Sequence, residues 1–136
     1  MTLVDKLLHA DKAILNQKAT KTIKSKRLSD LLGEDTEITI RQIAGRRMND
    51  INSIIYDSEG NKDISKSYDL NILYCVEGIV EPSMKNQALM EYFGVHTPDE
   101  LAEKLFDTEI NRISSEIAIF SGVGNEEKME EKVKNS

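Results

Sequence analysis

Apolar positions along the chain follow two periods, and the changes between them divide it into elements. Leu3, Leu7, Ala10 and Ile14, flanked by Val4, Leu8 and Leu15, recur at three- and four-residue steps. Thr2 stands before them as a cap, with Asp5 in the first turn, so an amphipathic first helix is predicted. Packing against its own domain is the simpler role for that helix, and a free partner-binding helix is the other. The period then drops to two. "KATKTIKSKRL" alternates weakly, and "TEITIRQI" alternates cleanly, setting Ile38, Ile40 and Gln42 against Thr39 and Arg41. Both predict strands, with "SDLLGED" between them as one helical turn stopped at Gly33.

Helical spacing returns after Gly45 with Met48, Ile51, Ile54 and Ile55, until "DSEGNKD" ends it. Tyr68, Leu70, Ile72, Leu73, Val76, Ile79 and Val80 then predict a helix apolar around much of its girth, central to a bundle and stopped by Pro82. Asn86 and Gly94 bracket the next, with Leu89, Met90 and Phe93 on its apolar face. Thr97, Pro98 and Glu100 form a strong start signal for a helix that packs Leu101, Leu105 and Phe106 inward. Asp107 or Thr108 opens the last helix, carrying Ile110, Ile113, Ile117 and Phe120 as far as Gly122. The expected fold is mainly α: a compact bundle of about five to six helices with a small antiparallel two-stranded β element near residues 20–43 (α+β). One domain is expected over residues 1–123. The charged tail, residues 124–136, has almost nothing to bury and is expected to be disordered.

Composition narrows the core. With 136 residues, no Trp and 5% aromatics, one modest core of Leu, Ile, Val and Met is expected. Residues 1–56 carry ten bases against seven acids and residues 57–136 eight against seventeen, for a net charge of -6. That balance disfavours nonspecific attraction to nucleic acid or an anionic membrane. Cys75 is the single cysteine, so no internal disulfide can form, and its apolar neighbours predict a buried reduced thiol. Neither a signal peptide nor a membrane span is legible, which points to a soluble, cytoplasmic protein.

Candidate chemistry is sparse. His9 and His96 are isolated, and with one Cys they cannot build a zinc site of familiar spacing. Counted from Asp57, Gly60 falls fourth and Tyr68 twelfth, where a calcium loop needs Gly sixth and Glu twelfth, so a solvated loop is expected. "SGVGNEE" lacks the third Gly of a dinucleotide fingerprint and the Gly-Lys-Ser/Thr of a phosphate loop. Lys18, Lys21, Lys24, Lys26, Arg27, Arg41, Arg46 and Arg47 could touch phosphates, yet no aromatic is interleaved to stack on bases. An enzyme would need a site of carboxylates and hydroxyls alone. No catalytic residue, cofactor or metal is expected, which leaves an acidic helical binding module.

Two stretches, "KSKRLSDLLGEDTEITIRQI" and "LYCVEGIVEPSMKNQALMEYFGVHTPDELAEKLFDTEI", with the start "MTLVDKLLHAD", resemble the XkdN-like phage tail assembly chaperones. The most specific parts are Lys-Arg-Leu-Ser, Val-Glu-Gly with its following Glu-Pro, and Phe-Gly-Val with Thr-Pro after it. The resemblance covers roughly residues 1–123 and implies a noncatalytic protein of the bacterial host cytoplasm, absent from the mature virion. Its implied partners are the tape-measure protein, a long and largely helical chain, and the tail-tube protein, with no nucleic acid and no membrane. Met84, Met90, Tyr92 and Phe106 are the candidate partner-binding residues, because flexible Met and aromatic side chains suit reversible contacts. Core packing is the competing role for each. A small non-catalytic adaptor or nucleic-acid-binding regulatory protein is the alternative. The oligomeric state is not legible.

Overall fold

A computed structural model describes residues 1–122; the expected charged tail, residues 124–136, lies outside them. The described chain runs α1 (Leu3–Leu8), α2 (Lys12–Asn16), β1 (Thr20–Lys24), α3 (Lys26–Leu32), β2 (Glu37–Arg41), α4 (Gly45–Asn52), α5 (Ser67–Gly78), β3 (Ile79–Glu81), α6 (Gln87–Phe93), α7 (Pro98–Phe106) and α8 (Ile110–Phe120). It is mainly helical with a small antiparallel sheet, as the sequence pattern predicts. Three details differ.

The first helix is two short ones. Asp11 caps Ala13 at 2.9 Å and starts a new helix after a break at His9 and Ala10. Neither α1 nor α2 buries a residue, so the expected packing of the apolar stripe on its own domain is not found. The strand predicted over "KATKTIKSKRL" ends early, because Ser25 accepts the Leu28 N–H at 3.2 Å and turns the chain into α3. The sheet has three strands in the order β1-β2-β3 rather than two. Ile79 and Val80 leave the central helix after Gly78 and pair with the open edge of β2, Ile79 opposite Ile40. β-branched residues beyond a glycine favour that extended exit.

Alternation fixes the sheet face. Ile38 and Ile40 are fully buried, while the alternating Thr39 and Arg41 lie on the more open side. Against them pack Ile51 of α4, Ile72 and Cys75 of α5, Leu101 and Phe106 of α7, and Ile110, Ile113 and Ile117 of α8. Burial pushes the Cys75 thiol up to about 12, so it is an inert core group, as predicted.

The Val-Glu-Gly stretch ties helices to sheet. Val76 is in the core, and Glu77 accepts from Arg47 of α4 at 2.9 Å while pairing with Arg41 of β2 at 3.7 Å. Arg41 Nε also donates to the Glu77 carbonyl at 2.8 Å. Gly78 lets α5 approach α8 closely: a Cβ there would lie 2.6 Å from two side-chain carbons of Ile117. Gly78→Ala should therefore destabilise the fold by about 1–3 kcal/mol, read as a lower denaturation midpoint. Gly45→Ala, where a Cβ meets nothing within 4 Å, is the control expected to cost less.

Candidate functional site

Apolar side chains that a fold leaves uncovered mark where it can meet a partner. Among the described residues two regions group several of them, apart from the separate Tyr56 and Ile64. One is the N-terminal arm, where Leu3, Val4, Leu7, Leu8, Ile14 and Leu15 are all exposed. The other is a groove between α3, α6 and α7.

The groove is built from helix ends. In α3, the adjacent Leu31 and Leu32 cannot both face the core, and they stay 59% and 60% exposed while Leu28 is buried. Gly33 ends that helix at φ 74°, a left-handed stop that glycine adopts without strain. Asn86 caps α6 through the Leu89 N–H at 3.0 Å, and Gly94 closes it at φ 70°. That stop returns the chain to Thr97, which caps α7 through the Glu100 N–H at 3.1 Å. Between them lies a cavity of about 160 Å³ lined by Leu28, Leu31, Leu32, Pro82, Leu89, Phe93 and Leu105. Its wall is wholly apolar, and it has room for a side chain of leucine or phenylalanine size. Tyr92, 83% exposed, sets its ring edge-on to Phe93 at 5.1 Å and extends the apolar surface outward.

Its walls are held by a reciprocal pair of helix-end contacts. Glu109, in the turn between α7 and α8, accepts from Ser25 Oγ at 2.8 Å and from the first N–H groups of α3, those of Lys26 at 3.2 Å and Arg27 at 3.0 Å. Arg112 donates to the same carboxylate at 2.7 Å. In return, Arg27 donates to the carbonyls of Leu105 at 3.1 Å and Lys104 at 3.4 Å, at the end of α7. A carboxylate at a helix N-terminus and a guanidinium at a helix C-terminus both complement the helix dipole. Burial alone would raise the Glu109 pKa. The bonds from Arg112, Ser25, Arg27 and Lys26 outweigh it and hold the group below its ordinary 4.5.

The structure divides the four predicted contact residues. Met84, Met90 and Phe106 lie in the core and are buried, behind the groove rather than on it, and only Tyr92 is open to a partner. The residues that line the groove were missed because "SDLLGED" reads as a single turn. The signal available was the Leu-Leu pair before a glycine stop. The short stretches that carry the family resemblance converge here: Arg27 and Leu28 from Lys-Arg-Leu-Ser, Pro82 from Glu-Pro, Phe93 and Gly94 from Phe-Gly-Val.

The other hollows have walls of mixed polar and apolar surface. In the one between α5 and α8, beside Leu70 and Ala118, amides and a hydroxyl bond one another, Asn71 to Asn111 at 2.8 Å and Ser114 to Asn71 at 2.9 Å. The Asp57 carboxylate accepts from the N–H groups of Glu59 and Asn61, which shapes the acidic loop internally. Among the described residues no group of His, Cys, Asp and Glu could hold a metal ion, and no helix is long and apolar enough to cross a membrane. Six of the eight basic residues singled out above stand within 4 Å of a carboxylate: Lys21, Lys24, Lys26, Arg27, Arg41 and Arg47.

A family model described as Phage XkdN-like tail assembly chaperone protein, TAC, matches residues 4–135. No curated protein and no solved structure matches the chain.

Because the folded pKa of Glu109 is depressed, its contribution to stability is present above the ordinary 4.5 and is lost as pH falls through the lower folded value. Glu109→Ala should cost about 3 kcal/mol near neutral pH, since it strips the N-terminus of α3 and leaves Arg112 without its acid. Glu109→Gln should cost less, and its deficit relative to the natural chain should narrow as pH drops below that range. Urea titrations across pH check both.

Proposed function

The chain belongs to the XkdN-like phage tail assembly chaperone family, and on that premise we propose that it binds the tape-measure protein and helps bring tail-tube subunits to it. It acts in the cytoplasm of the bacterial host during tail assembly and is absent from the finished tail. The reading is supported by one observation above the rest: a wholly apolar groove whose walls are held by the paired contacts of Glu109 and Arg27.

A long, largely helical client exposes apolar stripes until a tube encloses it. A groove of this kind takes one stripe in helix-in-groove fashion, with anchors at three- and four-residue spacing. A cavity of one-side-chain size on a small surface gives modest affinity, which suits a partner that must later be displaced. Noncatalytic action fits the same picture, since holding and release need shape and apolar area rather than reacting groups.

Coexpression with the tape-measure and tube proteins, followed by capture through a tag and mass spectrometry, tests the proposal. The tape-measure protein should be recovered with the natural chain. Leu31→Asp with Leu32→Asp should weaken its capture at least tenfold, about 1.4 kcal/mol, while changing stability by less than about 1 kcal/mol because both side chains are already exposed. Met90→Ala should instead lower stability by about 2–5 kcal/mol, as expected of a buried side chain. Recovery of nucleic acid alone, with both tail proteins soluble and present, contradicts the proposal.

A further inference from the structure

We propose that the acidic run at residues 126–131 lies against a basic hollow of its own chain, the one formed by Lys18, Arg41, Arg46 and Arg47. The inference does not rest on the client named above. It follows from where the described chain ends and from the charges that meet there.

The hollow lies where β1 begins and α4 starts. Its volume is about 130 Å³, and Lys18, Arg41, Arg47 and Glu77 stand in its wall beside Gln42 and Ile43. Glu77 is the one acid of that wall and is shared, by Arg47 at 2.9 Å and Arg41 at 3.7 Å. Arg46 follows Gly45 in the first turn of α4, next to Arg47. Among the described residues, Lys18 and Arg46 have no carboxylate within 4 Å, whereas Lys21, Lys24 and Lys26 each have one of their own. Four bases therefore face one acid. Lys18 and Arg46 are exposed, and the Arg41 and Arg47 side chains are partly so, which leaves all four open to a further anion. The start of α4 adds to the positive field, because Ala44 gives it no side-chain cap.

The chain brings its own acids to this point. α8 ends on two residues of the hollow's wall: Gln42 donates to the Phe120 carbonyl at 3.1 Å, and Ser121 Oγ accepts the Ile43 N–H at 2.9 Å. After Gly122 the next acids in sequence are Glu126, Glu127, Glu130 and Glu131, with Lys128 the one base among them. Glu126 is five residues beyond Ser121, so the run begins within about 18 Å of the wall even at full extension. Exposed ion pairs are individually weak. A short tether, however, raises the effective concentration to about millimolar, so a weak contact made within one chain is populated. Its charges are near water, so salt loosens it. Covering the four cations also withdraws them from polyanions such as nucleic acid.

Paramagnetic relaxation in the full chain tests this. A nitroxide is attached at Met129→Cys, between the two pairs of acids, while the buried Cys75 stays unlabelled. Broadening is read at the backbone amides of Lys18, Arg41, Arg46 and Arg47. The reference is the same spin-labelled chain with Glu126, Glu127, Glu130 and Glu131 all changed to Gln, which subtracts the broadening that nearness of the chain end produces by itself. The expected result is broadening several-fold stronger with the acids than with the glutamines. It should fall in Lys18→Gln with Arg46→Gln, two exposed positions where folding is retained, and the glutamine chain should be held more strongly on heparin. Three results overturn the proposal. One is equal broadening with and without the acids. Another is acid-dependent broadening centred on Leu3–Leu8 of the arm instead of the four bases. The last is equal broadening of an isotope-enriched chain by a separate spin-labelled one, which makes the contact one between molecules.

Discussion

Glu109 lies 84 residues from Ser25 along the chain and 2.8 Å from it in space. Its carboxylate is where α3 begins, and Arg27, in the first turn of α3, is where α7 ends. Each helix therefore satisfies orphan backbone groups of the other or of the turn beyond it. Removing either partner leaves a charge facing unpaired groups in a partly dry site, which costs more than the pair contributes by being there. This reciprocal contact sets the distance between α3 and α7, and with it the width of the groove. The groove is thus a product of polar chemistry at helix ends, although its lining is apolar.

The same view explains why a protein without reacting groups has such particular short motifs. Lys-Arg-Leu-Ser supplies the Arg27 clasp and the buried Leu28, and Ser29 accepts the Thr36 N–H at 2.9 Å to bring the chain back into β2. Val-Glu-Gly packs α5 on α8 through Gly78 and braces α4 and β2 through Glu77. Phe-Gly-Val and Thr-Pro turn α6 into α7 at a fixed angle. Each stretch is a joint in a scaffold, and together they place a small apolar surface on a rigid frame.

Helix starts and stops were the most legible features: Thr2, Asn86 with Gly94, and Thr97 with Pro98 all act as the pattern predicts. Local hydrogen-bond chemistry decides such ends, so neighbouring residues suffice to read them. Positions decided by distant partners were not legible. Ile79 and Val80 continue a helical apolar pattern, yet the open edge of β2, some forty residues earlier, draws them into a strand. The start of α3 inside an alternating stretch depends on Ser25 and on Glu109, neither of which shows in periodicity. The candidate site suffered from the same limit. Met84, Met90 and Phe106 have the flexible or aromatic character of contact residues, but burial belongs to the whole fold, and it claims all three. Leu31 and Leu32 looked like part of a turn, and only the position of α7 makes them a wall.

Hydrogen–deuterium exchange of the chain, alone and saturated with a soluble helical segment of the tape-measure protein, tests the central claim most directly. The account predicts added protection concentrated in α3 and α6, over Leu28–Leu32 and Leu89–Phe93, with the sheet and α8 unchanged. Saturable binding that protects only other surfaces, such as the amide-lined face between α5 and α8, would contradict it.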